Sequence, residues 1–316
     1  MNKIVCFGEA LIDFLNTGSE SSGDISIPVF KQFPGGAPAN AAVAVAKLGG
    51  HSYFAGQVGA DTFGQFLRDT LAHYGVHLDF MHAHPKAKTA LAFVTLDADG
   101  DRSFSFYRDE TADIVVQANQ FPDDMLAAGD ILHVCSNTLT TETIKDTTLN
   151  LCKQAADNGA FISFDVNLRH NLWRDGEADK SSVEALVKMA NLIKFSREEI
   201  EYLAGNNHID YINRLLSENC HLAIVTDGGQ AVRYYTKGFS GQLAIPEVEV
   251  VDTTSGGDAF VGGLLCALQE SKDLVGVLTD QTATINAVSF AIQCGAYTVA
   301  RQGAFPAIPW RKDITN

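Results

Sequence analysis

The chain has 316 residues, 46% of them hydrophobic, with 38 acids against 23 Lys and Arg and a formal charge of −15. That length and apolar content suit one large or two modest globular domains with a buried core. The acidic balance excludes partners held by a net positive field, namely nucleic-acid backbones and anionic membrane surfaces.

The first apolar run, Ile4–Phe7, is too short for the hydrophobic stretch of a secretory signal, and Glu9 and Asp13 follow it at once. It reads as a buried strand. Tyr53–Ala55, Ile131–Val134, Phe161–Asp165, Leu192–Lys194 and Leu222–Thr226 read the same way. Helical patterns lie between them at Ala39–Leu48, Thr62–Tyr74, Thr141–Asn158, Ser181–Met189 and Arg197–Leu203. Such alternation predicts an α/β fold, a mostly parallel sheet flanked by helices on both faces. Past Thr226 the pattern changes: Ala231–Tyr235 and Gln242–Ile245 suit antiparallel strands, and helices follow at Asp258–Gln269 and Thr279–Gly295. The uncharged stretch Gln281–Ala300 contains Gln, Thr, Asn and Ser and reads as a buried helix, not a membrane span.

Two segments break the rhythm. Phe14–Phe33 is Gly/Ser-rich in its middle, with extended pieces at Ile25–Ile27 and Val29–Phe30. Thr89–Tyr107 reads as a hairpin turning at Asp97–Asp101. Strands inserted this way do not join a parallel core readily, so a small β-sheet lid over a cleft is expected. Its apolar residues Leu91, Phe93, Phe104 and Phe106 make a homodimer through the lid a reasonable expectation. Six widely spaced cysteines without a C-x-x-C pair read as small buried hydrophobes in a reducing cytoplasm.

Three motifs carry the chemistry. In Asp252-Thr253-Thr254-Ser255-Gly256-Gly257-Asp258 a Ser-Gly-Gly turn enters an apolar helix. Its backbone N–H groups and the helix dipole build an anion site without a basic side chain. Asp258 is then either a helix cap or a base able to take a proton from an attacking hydroxyl. In Gly35-Gly36-Ala37-Pro38-Ala39-Asn40 two glycines permit a close backbone approach, and Asn40 is either a cap or a hydroxyl partner. Asp13 follows the first strand, where open α/β sheets bind ligands, or it is an exposed loop acid.

Other patterns fall away. There is no G-x-x-x-x-G-K-[ST], G-x-G-x-x-G or G-x-S-x-G. Asp97–Asp101 imitates a calcium loop, but its Gly is misplaced and Arg108 stands at position twelve. His73, His77, His82 and His84 lack the spacing of a metal site and read as solvated surface.

Taken together, the motifs resemble the ribokinase-like carbohydrate kinases (the phosphofructokinase-B family), and within them the fructokinases. The likeness runs end to end, through Gly8-Glu9, Gly35–Asn40, Val58–Gly64, Asp165–Arg169 with Leu172-Trp173, Thr226–Gly229, Asp252–Asp258 and Gly303-Ala304. It implies one ribokinase-like domain over residues 1–316, Rossmann-like, with lid insertions near 14–34 and 89–108. It also implies ATP-dependent phosphorylation of the primary hydroxyl of fructose, with Mg²⁺ carried on the nucleotide and a monovalent cation such as K⁺ beside the anion loop.

By resemblance, Asp258 is the catalytic base, and Ser255, Gly256 and Gly257 form the anion hole with it. Asp13, Gly35, Gly36, Asn40, Arg108 and Arg169 surround the sugar. Lys194, Thr226, Gly228, Gly229, Asp252 and Thr253 belong to the nucleotide, and Glu199 organises the metal through water. Three positions depart from the family pattern. Ser255 replaces a Gly, with Gly256 placed to relax the turn if φ must be positive, or with the Ser hydroxyl donating to phosphate. Ser196 replaces an Asn before Glu199, and Ile292 replaces an Asn near the adenine, which implies more apolar base contacts. An aminoimidazole riboside kinase, a 2-keto-3-deoxygluconate kinase and a non-catalytic sugar or nucleotide sensor are the alternative readings.

Overall fold

The first strand sets the pattern of the whole sheet. Ile4 and Cys6 face one apolar layer while Val5 and Phe7 face another, because alternate residues of a strand point to opposite sides. Both layers are buried, so the strand is a continuous apolar run. The computed structural model describes residues 2–96, 102–271 and 273–314. Its strands are β1 (Ile4–Phe7), β2 (Leu11–Ser22), β3 (Ile25–Gly35), β4 (Ser52–Gly59), β5 (His77–His84), β6 (Leu91–Leu96) and β7 (Arg102–Tyr107). They continue with β8 (Ile131–Cys135), β9 (Phe161–Asp165), β10 (Leu192–Ser196), β11 (Leu222–Thr226), β12 (Val232–Tyr235) and β13 (Ser240–Leu243). The helices are α1 (Ala37–Lys47), α2 (Thr62–His73), α3 (Glu142–Asp157), α4 (Lys180–Val187) and α5 (Arg197–Ala204). After them come α6 (His208–Ser217), α7 (Gly256–Gln269), α8 (Leu274–Thr279), α9 (Gln281–Val299) and α10 (Arg311–Ile314).

The large sheet runs β13-β12-β11-β10-β9-β8-β1-β4-β5. Every pairing from β5 to β11 is parallel, and β12 and β13 add antiparallel strands at one edge. One layer packs α1, α2, α7, α8 and α9 on the sheet, and the other packs α3 to α6. This is the expected α/β architecture. The sequence reading missed β2, β5, α6, α8 and α10.

The second sheet, β3-β2-β6-β7, joins the two inserted segments, with β2 and β6 parallel. Of the apolar residues noted in this sheet, Leu91, Phe93 and Phe106 are partly buried against neighbours. Phe93 stacks on Phe14 at 5.0 Å and meets Phe30 and Tyr107 edge-on, and Phe106 packs against Leu11, Ala90 and Ala92. Phe14 also touches Phe63 of α2 at 5.8 Å, tying this sheet to the core. The exposed apolar residues here are Ile25, Ile27 and Tyr107. Residues 97–101, read as a hairpin turn and weighed as a calcium loop, lie outside the described residues, as does the side chain of Phe104.

Candidate active site

Helix α7 lies between α1 and α9, and its glycines set how close they come. A Cβ at Gly262 would collide with Ala44 of α1. One turn N-terminal of these two residues stand Asp258 and Asn40, which the same approach brings together. Asn40 Nδ2 donates to Asp258 Oδ2 at 2.7 Å. The carboxylate therefore does not cap its own helix, whose N-cap is Ser255 without a side-chain bond. Asn40 is no cap either: α1 begins at Ala37 behind Gly36, whose φ is 103°. A Cβ at Gly36 would also meet the Glu9 carbonyl, so both the backbone angle and the space require Gly there.

Ser255 adopts the left-handed conformation, with φ 61° and ψ 4°. Gly256 does not relax the turn, because it already lies within the helix and the positive φ falls on Ser255 itself. Asp252 steadies this loop from behind, its carboxylate accepting from Thr254 N–H at 2.7 Å and Gly303 N–H at 2.9 Å.

Two cavities meet at the turn. The polar one, about 430 Å³, is lined by Asp13, Gly36, Asn40, Arg108, Arg169, Lys194, Glu199, Thr253, Ser255, Gly257 and Asp258 among others. The apolar one, about 520 Å³, is lined by Ile245, Val248, Val250, Ile292 and Val299 together with Thr226, Gly228 and Gly229. Thr253 and Gly257 line both. The expected sites of small polar substrate and nucleotide thus converge on one helix start, and Ile292 contributes the apolar wall expected of it. Lys194, expected with the nucleotide, lines the polar cavity instead, and its Nζ lies 3.4 Å from where a Cβ on Gly257 would stand. Gly35 and Asp252 line neither cavity. Gly35 backs the Asp13 carboxylate, which a Cβ there would strike, and Asp252 holds the loop.

Charge is concentrated at the floor. Lys194 Nζ pairs with Asp165 Oδ1 at 3.0 Å, both buried. Burial alone would lower the lysine pKa, but Asp165 and Glu199 outweigh it and raise it. Glu199 is raised by burial against the opposing pull of Lys194. Its two oxygens accept from Leu168 N–H at 2.8 Å and Ser196 N–H at 2.6 Å, the second closing a capping box on α5. Asp258 is pushed up to about 7, mainly by burial and further by Asp165, while Asn40, Arg169 and Lys194 hold it down. That value suits a base working near neutral pH.

Sequence reasoning missed Glu9, Asn137, Asp165 and Asn167, which also line the polar cavity. The signal available was position: Glu9, Asn137 and Asn167 follow β1, β8 and β9 and Asp165 ends β9, at the carboxyl ends of parallel strands. Of the histidines, His73 ends α2 and the other three lie on β5, where His82 packs on Phe121 and His84 Nδ1 accepts two backbone N–H bonds.

The model of the pfkB family carbohydrate kinases matches residues 1–311. The chain belongs to this family. It is 41% identical to the probable chloroplastic fructokinase-6 of Arabidopsis thaliana, over 98% of this chain and 81% of that protein. The solved fructokinase of Xylella fastidiosa with bound ATP superposes with a TM-score of 0.91 at 39% identity, covering 99% of this chain and 96% of that one. The fructokinase of Vibrio cholerae with fructose, ADP and calcium superposes at 0.88 with 32% identity, covering 100% and 99%. This member of the family is thus a carbohydrate kinase of ribokinase-like fold. No helix among the described residues is long and apolar enough to cross a membrane.

Proposed function

We propose that this carbohydrate kinase is a fructokinase, transferring the γ-phosphoryl group of ATP to the 6-hydroxyl of fructose. The observation that carries this is the meeting of a polar and an apolar cavity at Thr253 and Gly257, with the Asp258 carboxylate at the junction. The likeness to fructokinases over nearly the whole chain supports the choice of sugar.

In this reading Asp258 takes the proton of the attacking hydroxyl, oriented by its bond from Asn40. The backbone N–H groups of Gly256 and Gly257 stabilise charge gathering on the phosphoryl oxygens, with Lys194 close by. Asp13, Asn40 and Arg169 hold the sugar, and the lid strands cover it against water. Among the described residues no group of three His, Cys, Asp or Glu stands ready to hold a metal ion. If Mg²⁺ arrives on ATP, Glu199, which lines the polar cavity, would hold it through water. Bound there, Mg²⁺ would neutralise phosphate charge. All six cysteines are buried and free, which supports a reducing compartment such as the cytoplasm.

ADP release measured over fructose, aminoimidazole riboside and 2-keto-3-deoxygluconate tests the assignment. Fructose is expected to be turned over with the highest kcat/KM. A faster riboside or keto-deoxy acid overturns the sugar, and binding of a sugar without any turnover overturns the kinase in favour of a sensor.

A further inference from the structure

Besides Asp165 Oδ1, which is ion-paired with Lys194, five buried polar atoms of this cavity have no hydrogen-bond partner: Glu9 Oε2, Asn40 Oδ1, Arg108 Nη2, Asn137 Oδ1 and Ser255 Oγ. Leaving such atoms unpaired is costly, so a site that gathers five is shaped for a polar ligand. Asn40 and Ser255 flank the reacting carboxylate. The other three form a second group, on residues only 2%, 6% and 8% exposed for Glu9, Asn137 and Arg108.

Each member of this group is held by bonds that leave one atom over. Glu9 Oε1 accepts from Ala37 N–H at 3.2 Å and from Asn137 Nδ2 at 2.9 Å, so Oε2 remains. Because Asn137 must turn its nitrogen to the carboxylate, its oxygen is fixed on the other side. Arg108 spends Nε on Asp113 at 2.5 Å and Nη1 on the Asn137 carbonyl at 3.0 Å, so Nη2 remains. The remainder is two acceptors and one donor, which two neighbouring hydroxyls satisfy: one bridges Arg108 and Glu9, and the other donates to Asn137.

The group sits along the sugar from the chemistry. Asp258 is bonded to Asn40, the fourth residue of α1, and Glu9 to Ala37, the first, about 4.5 Å apart along the helix. We infer that Glu9, Asn137 and Arg108 form a specificity subsite that grips the pair of hydroxyls at the anomeric end of a free ketose, on carbons 1 and 2, while carbon 6 faces Asp258. The inference rests on the fructokinase reading. It assigns Glu9 and Asn137 as specificity-determining residues and excludes sugars whose anomeric carbon bears a nitrogen heterocycle.

The test is a double-mutant cycle between protein and sugar. Gln at position 9 keeps an oxygen for Ala37 and Asn137 but presents an N–H where Oε2 stood, so a merely structural Glu9 would tolerate it. Glu9→Gln should raise KM for fructose about tenfold or more with kcat within about threefold. Wild type should lose about tenfold or more in kcat/KM on 1-deoxyfructose or on 2,5-anhydromannitol, which lacks the 2-hydroxyl. For that analogue Glu9→Gln should add no further loss, the mark of a shared contact. An unchanged KM in Glu9→Gln, or losses that multiply for both analogues, overturns the subsite. If Glu9→Gln fails to fold, Asn137→Ala is read by the same criteria. If wild type does not phosphorylate fructose, the substrate assignment falls, and the cycle is run on deoxy analogues of the sugar it does phosphorylate.

Discussion

Asp258 joins two opposite demands in one side chain. Its pKa of about 7 means that the folded state binds a proton the unfolded chain, near 3.8, has already released. Ionising it therefore costs the fold nothing below pH 4, a growing amount between 4 and 7, and a constant amount above. Asp258→Asn should abolish turnover and yet raise thermal stability at pH 8, by about 4 kcal/mol, with the gain vanishing below pH 4. Unfolding followed at both pH values, together with ADP release, checks it. In the wild type, kcat/KM should fall tenfold per pH unit below about 7, and losing the Asn40 bond in Asn40→Ala should move that limb to higher pH. Ser255 shows the same tension. A left-handed Ser costs about 1 kcal/mol that Gly avoids, and its hydroxyl lies buried and unpartnered beside the anion hole. Ser255→Gly should gain about 0.5–1 kcal/mol of stability while kcat drops several-fold. A variant that loses stability overturns the strain argument, and one that keeps full kcat removes the hydroxyl from the mechanism.

Elements were legible in the sequence where burial was two-sided and obscure where it was not. Phe161–Asp165 and Leu222–Thr226 were read to the residue, because all of their residues but Thr226 are buried. β5 escaped because its histidines alternate with apolar residues on the edge of the sheet, and β3 was read in two pieces because Pro28 interrupts it. The Pro is tolerated since β3 is itself an edge strand. The Asp252–Asp258 loop was legible as a motif, but Glu9 and Asn137 were not. Only the pairing of β1 with β8 brings them together, and nothing local announces it. Helix contact matters likewise: Gly262 looks like a weak helix residue until Ala44 is seen against it. Gly262→Val should cost about 2 kcal/mol by overpacking. By forcing α7 from α1 it should also lower kcat more than it raises KM for fructose. A variant destabilised with unchanged kcat would show that the helix spacing does not position Asp258.

At the scale of the molecule, a charge of −15 must coexist with a polyanionic substrate. The polar cavity reconciles them locally, since its cations Lys194, Arg108 and Arg169 are set among Asp165, Asp258, Glu9 and Glu199. Lys194 is matched by Asp165 at 3.0 Å and Arg108 by Asp113 at 2.5 Å, so little free positive charge is left to attract phosphate from a distance. Phosphate is held at close range by backbone N–H groups at the start of α7, whose partial charges act within the first turn and fade beyond it. The salt dependence of binding then has a definite sign. Long-range repulsion between an acidic protein and anionic MgATP is screened as ionic strength rises and the Debye length shortens to about 8 Å at 0.15 M. The short amide contacts are shielded from that screening by the cavity. KM for ATP, measured at fixed free Mg²⁺ from 0.02 to 0.15 M salt, should therefore fall or stay level, within about twofold. A steep rise in KM over that range would mean that unpaired lysine and arginine side chains, not the helix start, carry the attraction for phosphate.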